Sequence, residues 1–265
     1  MRILCIGDVV GRPGREAVER STGMLRQEHA VECTVVNAEN AAGGSGITGR
    51  IARDLLAAGV DVITLGDHAW KQRDVFEAFA EFSTLLRPAN YPSEAPGRGA
   101  CVAELEGGLQ VGVINLVGRI FMAPSECPFR AADAAIAELE RKTRVIVVDM
   151  HAEATSEKVA MGRYLDGRVS VVMGTHTHVA TADETILPGG TAYITDVGMT
   201  GPHDSILGRQ VKPVLKKLVT GVPARFEVAT GDVRLSGIVV TVDERTGRAS
   251  AIARIQVPLE PEARP

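Results

Sequence analysis

Five apolar segments of this chain each run into side chains that bind metals or move protons. "RILCIG" leads to Asp8, "CTVVNA" to Glu39 and Asn40, "VDVITLG" to Asp67 and His68, "RVIVVDM" to His151, and "SVVMGT" to His176 and His178. Carboxylates, one amide and imidazoles, with no cysteine, make a hard-to-borderline donor set. It suits Mn, Fe or Zn with open positions and not a structural zinc site. The set is larger than one ion needs. Two ions roughly 3.5–4 Å apart, bridged by a carboxylate and a hydroxide, would use all of it, clamping a phosphoryl group and making a nucleophile at neutral pH.

Taken singly, most of these residues have a blander reading. Asp8 could cap a helix, Glu39-Asn40 could form a turn, and His151 could be a satisfied core histidine. The pair His176–His178 is stronger, because residues i and i+2 of an extended chain point the same way. In α/β sheets ligands bind outside the carboxyl ends of the strands, so a shared sheet edge would gather residues distant in sequence into one cleft. Of the six histidines, His29 reads as a solvated helix-end residue, and His203, in "GMTGPHDS", as a loop residue.

The elements that must position these groups alternate. "GRPGREAVERSTGMLRQEH" reads as a loop and helix with Pro13 near its start. "GITGRIARDLLAAG" has helical spacing at Ile51, Leu55 and Leu56 and stops at Gly59. "RDVFEAFAEF" is a helix with Val75, Phe76 and Phe79 on its apolar face, and "FRAADAAIAELERK" is another. "LQVGVINLVG" and "TAYITDVG" read as further strands. From Pro223 the texture becomes that of an antiparallel meander, with turn signals at Thr230-Gly231-Asp232 and Arg245-Thr246-Gly247. No Pro- or Gly-rich linker sets it apart, so residues 1–265 are expected to form one domain.

The chain has 265 residues, 45% apolar and 23% charged, with net charge −4. That is ordinary globular composition. No Lys/Arg run marks a nucleic-acid stripe, so no stable nucleic-acid complex is expected. No apolar stretch reaches the length of a membrane span, and "MRILCIGD" is too short for a signal peptide. Cys5, Cys33, Cys101 and Cys127 are scattered, as befits reduced thiols in a cytoplasmic protein.

The segments "GDVVGRPGR", "NAENAAGG", "TLGDHAW", "HAEATSEK", "GTHTHVATAD" and "YITDVGMTGPHDS" resemble the calcineurin-like metallophosphoesterase superfamily, specifically its YmdB-type branch, over nearly the whole chain. The resemblance implies a four-layer α/β/β/α sandwich of two mixed β-sheets flanked by helices, with the C-terminal meander in the far sheet. It implies two metal ions per chain, Fe or Mn, with Mg or Zn also accommodated, and hydrolysis of phosphodiesters such as the 2′,3′-cyclic nucleotide 2′,3′-cAMP. Carried over by position, the first metal takes Asp8, Glu39, Asn40 and His178. The second takes Glu39 as bridge, Asp67, His151 and His176. His68 becomes the proton donor. Two departures stand out: Val10 replaces the superfamily's usual histidine, a vacancy assigned to Asn40, and Asp67 replaces its usual asparagine.

Arg12, Arg15 and Arg119 are candidate phosphate contacts, with surface solvation the competing reading. Phe121, Met122 and Tyr91 could stack on a base, with core packing the competing reading. The expected partner is a small phosphoester, and a homo-oligomer is compatible with the sequence. The alternatives are a metal-dependent phosphomonoesterase or protein phosphatase, and a regulatory nucleotide-binding protein in RNA turnover with incidental catalysis.

Overall fold

The strand-forming runs are apolar at almost every position, the pattern of parallel strands covered on both faces. A computed structural model describes residues 1–260. Among them the strands are β1 (Arg2–Ile6), β2 (Cys33–Asn37), β3 (Val62–Thr64), β4 (Leu85–Leu86), β5 (Ala100–Glu104), β6 (Gln110–Val117), β7 (Ile146–His151), β8 (Val171–Thr175), β9 (Thr185–Ile186), β10 (Ala192–Ile194), β11 (Gly201–Pro202), β12 (Val233–Val242) and β13 (Ala249–Pro258). The helices are α1 (Gly11–Glu28), α2 (Gly49–Ala57), α3 (Val75–Glu81), α4 (Pro128–Leu139), α5 (Thr155–Leu165) and α6 (Val211–Thr220).

Two mixed sheets result. The first runs β11-β12-β1-β2-β3-β4, with β13 paired to β12; the second runs β5-β6-β7-β8-β10-β9. Strands β1 to β4 are parallel, as are β6, β7, β8 and β10, while β12, β5 and β9 pair antiparallel with their neighbours.

The side-chain period of two sorts each strand between two layers. Ile3 and Cys5 of β1, Cys33 and Val35 of β2, Val147 of β7, and Val171 and Met173 of β8 fill the space between the sheets. Leu4, Ile6 and Val36 point the other way, into a core shared with Val18 and Leu25 of α1, Leu55 of α2 and Phe79 of α3. Ile146, Val148 and Met150 pack with Ile136 of α4 and Met161 of α5. Three apolar layers separate four layers of structure, the α/β/β/α sandwich expected.

Three details depart from expectation. The C-terminal meander is a single hairpin, β12–β13, and it joins the first sheet: β12 pairs with β1 from Arg2↔Thr241 to Ile6↔Gly237. The far sheet ends instead in the short strands β5 and β9, and neither pairs with the hairpin. Phe76 is 44% exposed, and α3 buries Val75, Ala78 and Phe79 instead, since positions 75, 78 and 79 share one helical face. Helices α5 and α6 complete the element list; polar residues at Ser156, Glu157 and Lys158 hide the first in sequence. Among the described residues no helix is long and apolar enough to cross a membrane.

Candidate metal centre

The inter-sheet layer turns polar at one end, and the strand period explains how. On the face where Val35, Val62, Val147 and Met173 are apolar, the next inward positions are Asn37, Thr64, Asp149 and Thr175, all buried. His151 is one step further along β7 on that same face. The carboxyl ends of β1, β2, β3, β7 and β8 therefore meet around a buried polar cluster.

Asp149 anchors it. Asn37 Nδ2 donates to its carboxylate at 2.9 Å, Thr64 Oγ1 at 2.5 Å and Thr175 Oγ1 at 2.7 Å. Burial raises the Asp149 carboxyl above its ordinary value, against the pull of His151 and these three bonds. Because the Thr175 hydroxyl proton goes to Asp149, its oxygen accepts from His151 Nδ1 at 2.9 Å. That places a proton on Nδ1 and turns Nε2 toward the cluster, where it is a lone pair whenever the ring is neutral.

His151 Nε2 faces Glu39 Oε2 at 3.2 Å, Asp67 Oδ1 at 3.3 Å and His176 Nδ1 at 3.0 Å. The other nitrogen of His176, Nε2, lies 3.1 Å from Glu153 Oε2. With its proton on that side, His176 too presents a lone pair inward. Glu39, Asp67, His151 and His176 offer four ligand atoms all within 4.8 Å of one another. Two carboxylates and two imidazole nitrogens converging on one point fit a cation, which would take the place of a proton on His151 Nε2 shared with Glu39 and Asp67. Hydrogen-bond partners such as Thr175 and Glu153 commonly orient metal-binding imidazoles.

Asp8, Asn40 and His178 lie beside Glu39 on the other flank. His178 Nε2 is 3.8 Å from Asp8 Oδ1 and 3.3 Å from Asn40 Nδ2, which donates to Glu39 Oε1 at 3.0 Å. The Asn40 amide turns its nitrogen to this flank and its Oδ1 to His68 Nδ1 at 2.9 Å; acting as a metal ligand requires the half-turned amide. Val10, in the vacated histidine position, is buried and bonds through its backbone to Thr200.

The electrostatics are those of concentrated negative charge. Burial pushes the Asp8 carboxyl well above its ordinary value; His151 draws it down, while Asp196, Glu39 and Asp149 push it further up. Burial also acts to raise Glu39 and Asp67, but His151 outweighs it and both fall below the ordinary carboxylate range. Burial acts to lower His151 in turn, but Glu39, Asp67 and Asp8 outweigh it and hold the ring well above a free imidazole. Burial lowers His176 and His178. A divalent cation between these groups would offset the burial, and with it the repulsion, that keep Asp8 high.

Two local features make room for this set. A Cβ on Gly66 would sit 2.2 Å from His151 Nε2 and 2.3 Å from Glu39 Oε2, inside the cluster. The loop after β8 is not extended, contrary to the i, i+2 reading. His176 has φ 90° and His178 φ 65°, left-handed values that are strained for side chains with a Cβ. Even so, His176 reaches the His151 flank and His178 the Asp8 flank.

Of the other sequence candidates, Arg12 pairs with Glu16 at 2.6 Å, and Arg15 donates to the Ala41 carbonyl. Tyr91 stacks on Trp70 with centroids 4.7 Å apart, and burial with Asp67 and Glu39 pushes its hydroxyl up to about 12. Met122 packs on the α4–α5 core, whereas Phe121 is 88% exposed. It follows Arg119 and Ile120, whose amides donate to the buried Glu157 carboxylate, and it has a left-handed φ of 61°. His29 caps the end of α1, and His203 Nδ1 bonds the Gly201 carbonyl. The sequence reading missed Asn37, Thr64, Asp149, Glu153 and Thr175. Their signal was present: polar residues inside or directly after apolar strands.

A family model described as YmdB-like protein matches residues 4–255. The chain is 49% identical over 257 residues to the Bacillus subtilis 2′,3′-cyclic-nucleotide 2′-phosphodiesterase, covering 97% of each. It is 32% identical to a putative phosphatase/phosphodiesterase of Mycoplasma genitalium, covering 99% of this chain and 95% of that one. A hypothetical protein from Thermus thermophilus has a solved structure that superposes with TM-score 0.91 at 43% identity, covering 97% of this chain and 99% of the other. A novel phosphatase from Mycoplasma pneumoniae superposes with TM-score 0.90 at 33% identity, covering 97% and 93%. With the family model spanning both sheets and every residue of the polar cluster, the chain belongs to the YmdB-like family.

Proposed function

We propose that this protein is a metal-dependent phosphoric ester hydrolase, a phosphodiesterase acting on 2′,3′-cyclic nucleotides such as 2′,3′-cAMP. The observation that carries this reading is the convergence of Glu39, Asp67, His151 and His176 on one point, in a chain nearly half identical to a named 2′,3′-cyclic-nucleotide 2′-phosphodiesterase. Asp67, His151 and His176 would hold one ion, Asp8, Asn40 and His178 a second, and Glu39 would serve both. An N/O set of this kind favours Fe or Mn and also accepts Mg or Zn. Bound there, the ions would supply Lewis acidity to the phosphoryl oxygens and make a water more acidic.

The chain's own residues supply position and protons. Thr175 and Glu153 fix the tautomers of His151 and His176, so both keep lone pairs inward at any working pH that leaves them neutral. Carrying protons on both nitrogens, His68 would protonate the departing oxygen through Nε2. Its Nδ1 faces Asn40 Oδ1 at 2.9 Å and Glu39 Oε1 at 3.5 Å, and Glu39 remains to orient the ring when the Asn40 amide is half-turned toward a metal. In the overall reaction water adds to phosphorus, the P–O2′ bond breaks, O2′ takes a proton, and a nucleoside 3′-phosphate leaves.

The test is a turnover screen on protein purified without chelators, with metal content measured. It compares 2′,3′-cAMP, 3′,5′-cAMP, bis(p-nitrophenyl) phosphate, p-nitrophenyl phosphate and a phosphopeptide. Release of 3′-AMP from 2′,3′-cAMP as the fastest reaction supports the reading. Faster cleavage of the monoesters would favour the phosphatase reading that the Mycoplasma relatives' names suggest. No turnover of any ester by metal-loaded protein would overturn both.

A further inference from the structure

A buried lysine stands behind the two-histidine loop. Lys158, on α5, is 1% exposed, and its Nζ donates to Asp196 Oδ2 at 2.8 Å and Thr177 Oγ1 at 3.1 Å. The same Asp196 oxygen accepts the Thr177 amide at 3.2 Å and the Thr177 hydroxyl. The other oxygen accepts the Gly198 amide at 2.8 Å. Thr177 is thus held by backbone and side chain at once, and it is the residue between the two left-handed histidines. On the near side, Asp8 accepts the His176 amide at 3.1 Å. Gly174 leaves the space through which the lysine passes: a Cβ there would lie 2.8 Å from Lys158 Cδ.

Burying an ammonium demands a strong compensating partner, and this one is spent on a loop and not on the core. Strained backbone persists only where surrounding contacts over-determine it. We infer that Lys158, acting through Asp196 and Thr177, is a positioning residue: it locks the turn that sends His176 to one flank of Glu39 and His178 to the other. One crossover, β7–α5–β8, therefore carries His151, the lysine and both histidines, so the clamp is built by the same segment that it aligns. The inference rests on the metal-centre reading above.

The experiment compares Mn²⁺ binding to chelator-treated wild type and variants by electron paramagnetic resonance, with thermal midpoints measured alongside. Thr177→Val removes the hydroxyl bonds to Lys158 and Asp196 at nearly constant volume, whereas Thr177→Ser keeps them. Orienting partners of ligands are worth roughly 10–100-fold in metal affinity, so the valine variant should lose about that much while the serine variant stays near wild type. Lys158→Met should lose both affinity and thermal stability, because Asp196 is left as an unpaired buried charge. Adding Asp196→Asn should restore the midpoint but not the affinity. Wild-type affinity in the valine variant, or equal losses in valine and serine, would overturn the inference. So would recovery of affinity in the double variant, which would make Lys158 a counter-charge and nothing more. If wild type itself bound no Mn²⁺, the metal reading would fall and this inference with it.

Discussion

At the scale of single residues, composition and position carried most of the site. Every strand-end candidate lies in the cluster or on its flank, because a functional group at the end of a buried strand has nowhere else to go. What sequence could not show is which nitrogen of each histidine faces inward; that depends on Thr175 and Glu153, distant partners with no local signature. Two expectations follow for single substitutions. His68→Ala should keep its metals and lower 2′,3′-cAMP turnover by roughly 10²–10⁴-fold, the usual worth of a positioned acid. Bis(p-nitrophenyl) phosphate, whose leaving group needs no proton, should lose far less; equal losses on both esters would exclude His68 as the acid. Asp67 is held below the ordinary carboxylate range, so it is anionic at any working pH. Asp67→Asn removes that charge from the His151 flank and should weaken one ion of a pair while sparing the other. A titration showing both ions unchanged would remove Asp67 from the ligand set.

At the scale of elements, α1 to α4 and the long strands were legible from their apolar patterns, whereas α5 and α6 were not. Nor were the turns after the strands. His176 and His178 look like extended-strand residues in sequence, yet both are left-handed, since the loop's conformation is dictated by Asp8, Asp196 and Lys158 from other elements. The turn after β3 shows the reverse case, where a small residue exists to leave space. Gly66→Ala would place a methyl within 2.2–2.3 Å of His151 and Glu39. Backbone and ligands must then move apart. Metal content should fall below half of wild type, by elemental analysis, while the far-ultraviolet circular dichroism stays the same. Full metal content in the alanine variant would mean that the ligand atoms do not converge as described.

At the scale of the whole molecule, the four-layer plan followed from the resemblance, but the place of the last hairpin did not. Pairing β12 with β1 joins residues more than 230 positions apart, and no local pattern encodes which sheet edge receives a strand. The cysteines offer a test of how the layers close. Cys5, Cys33 and Cys101 come from three different strands on two sheets, yet all three face the inter-sheet layer. Burial raises each thiol, to about 12 for Cys101 and well above the ordinary value for Cys5 and Cys33. Cys127 lies outside that layer and is half-buried. The thiolate is the reactive form, so at pH 8 an aromatic disulfide reagent should label Cys127 alone in the native protein. The other three should react only when the inter-sheet layer opens, and so together, at the rate of global unfolding. The same shifts set a sign for stability. A thiol raised in the folded state contributes fully below the unfolded value of ~8.5, and that contribution is lost as pH rises past it. Unfolding free energy should therefore decline from about pH 8.5 upward, and replacing Cys5 by Ser or Ala should flatten the decline. Fast native-state labelling of two or more thiols would show that the sheets do not enclose a common core.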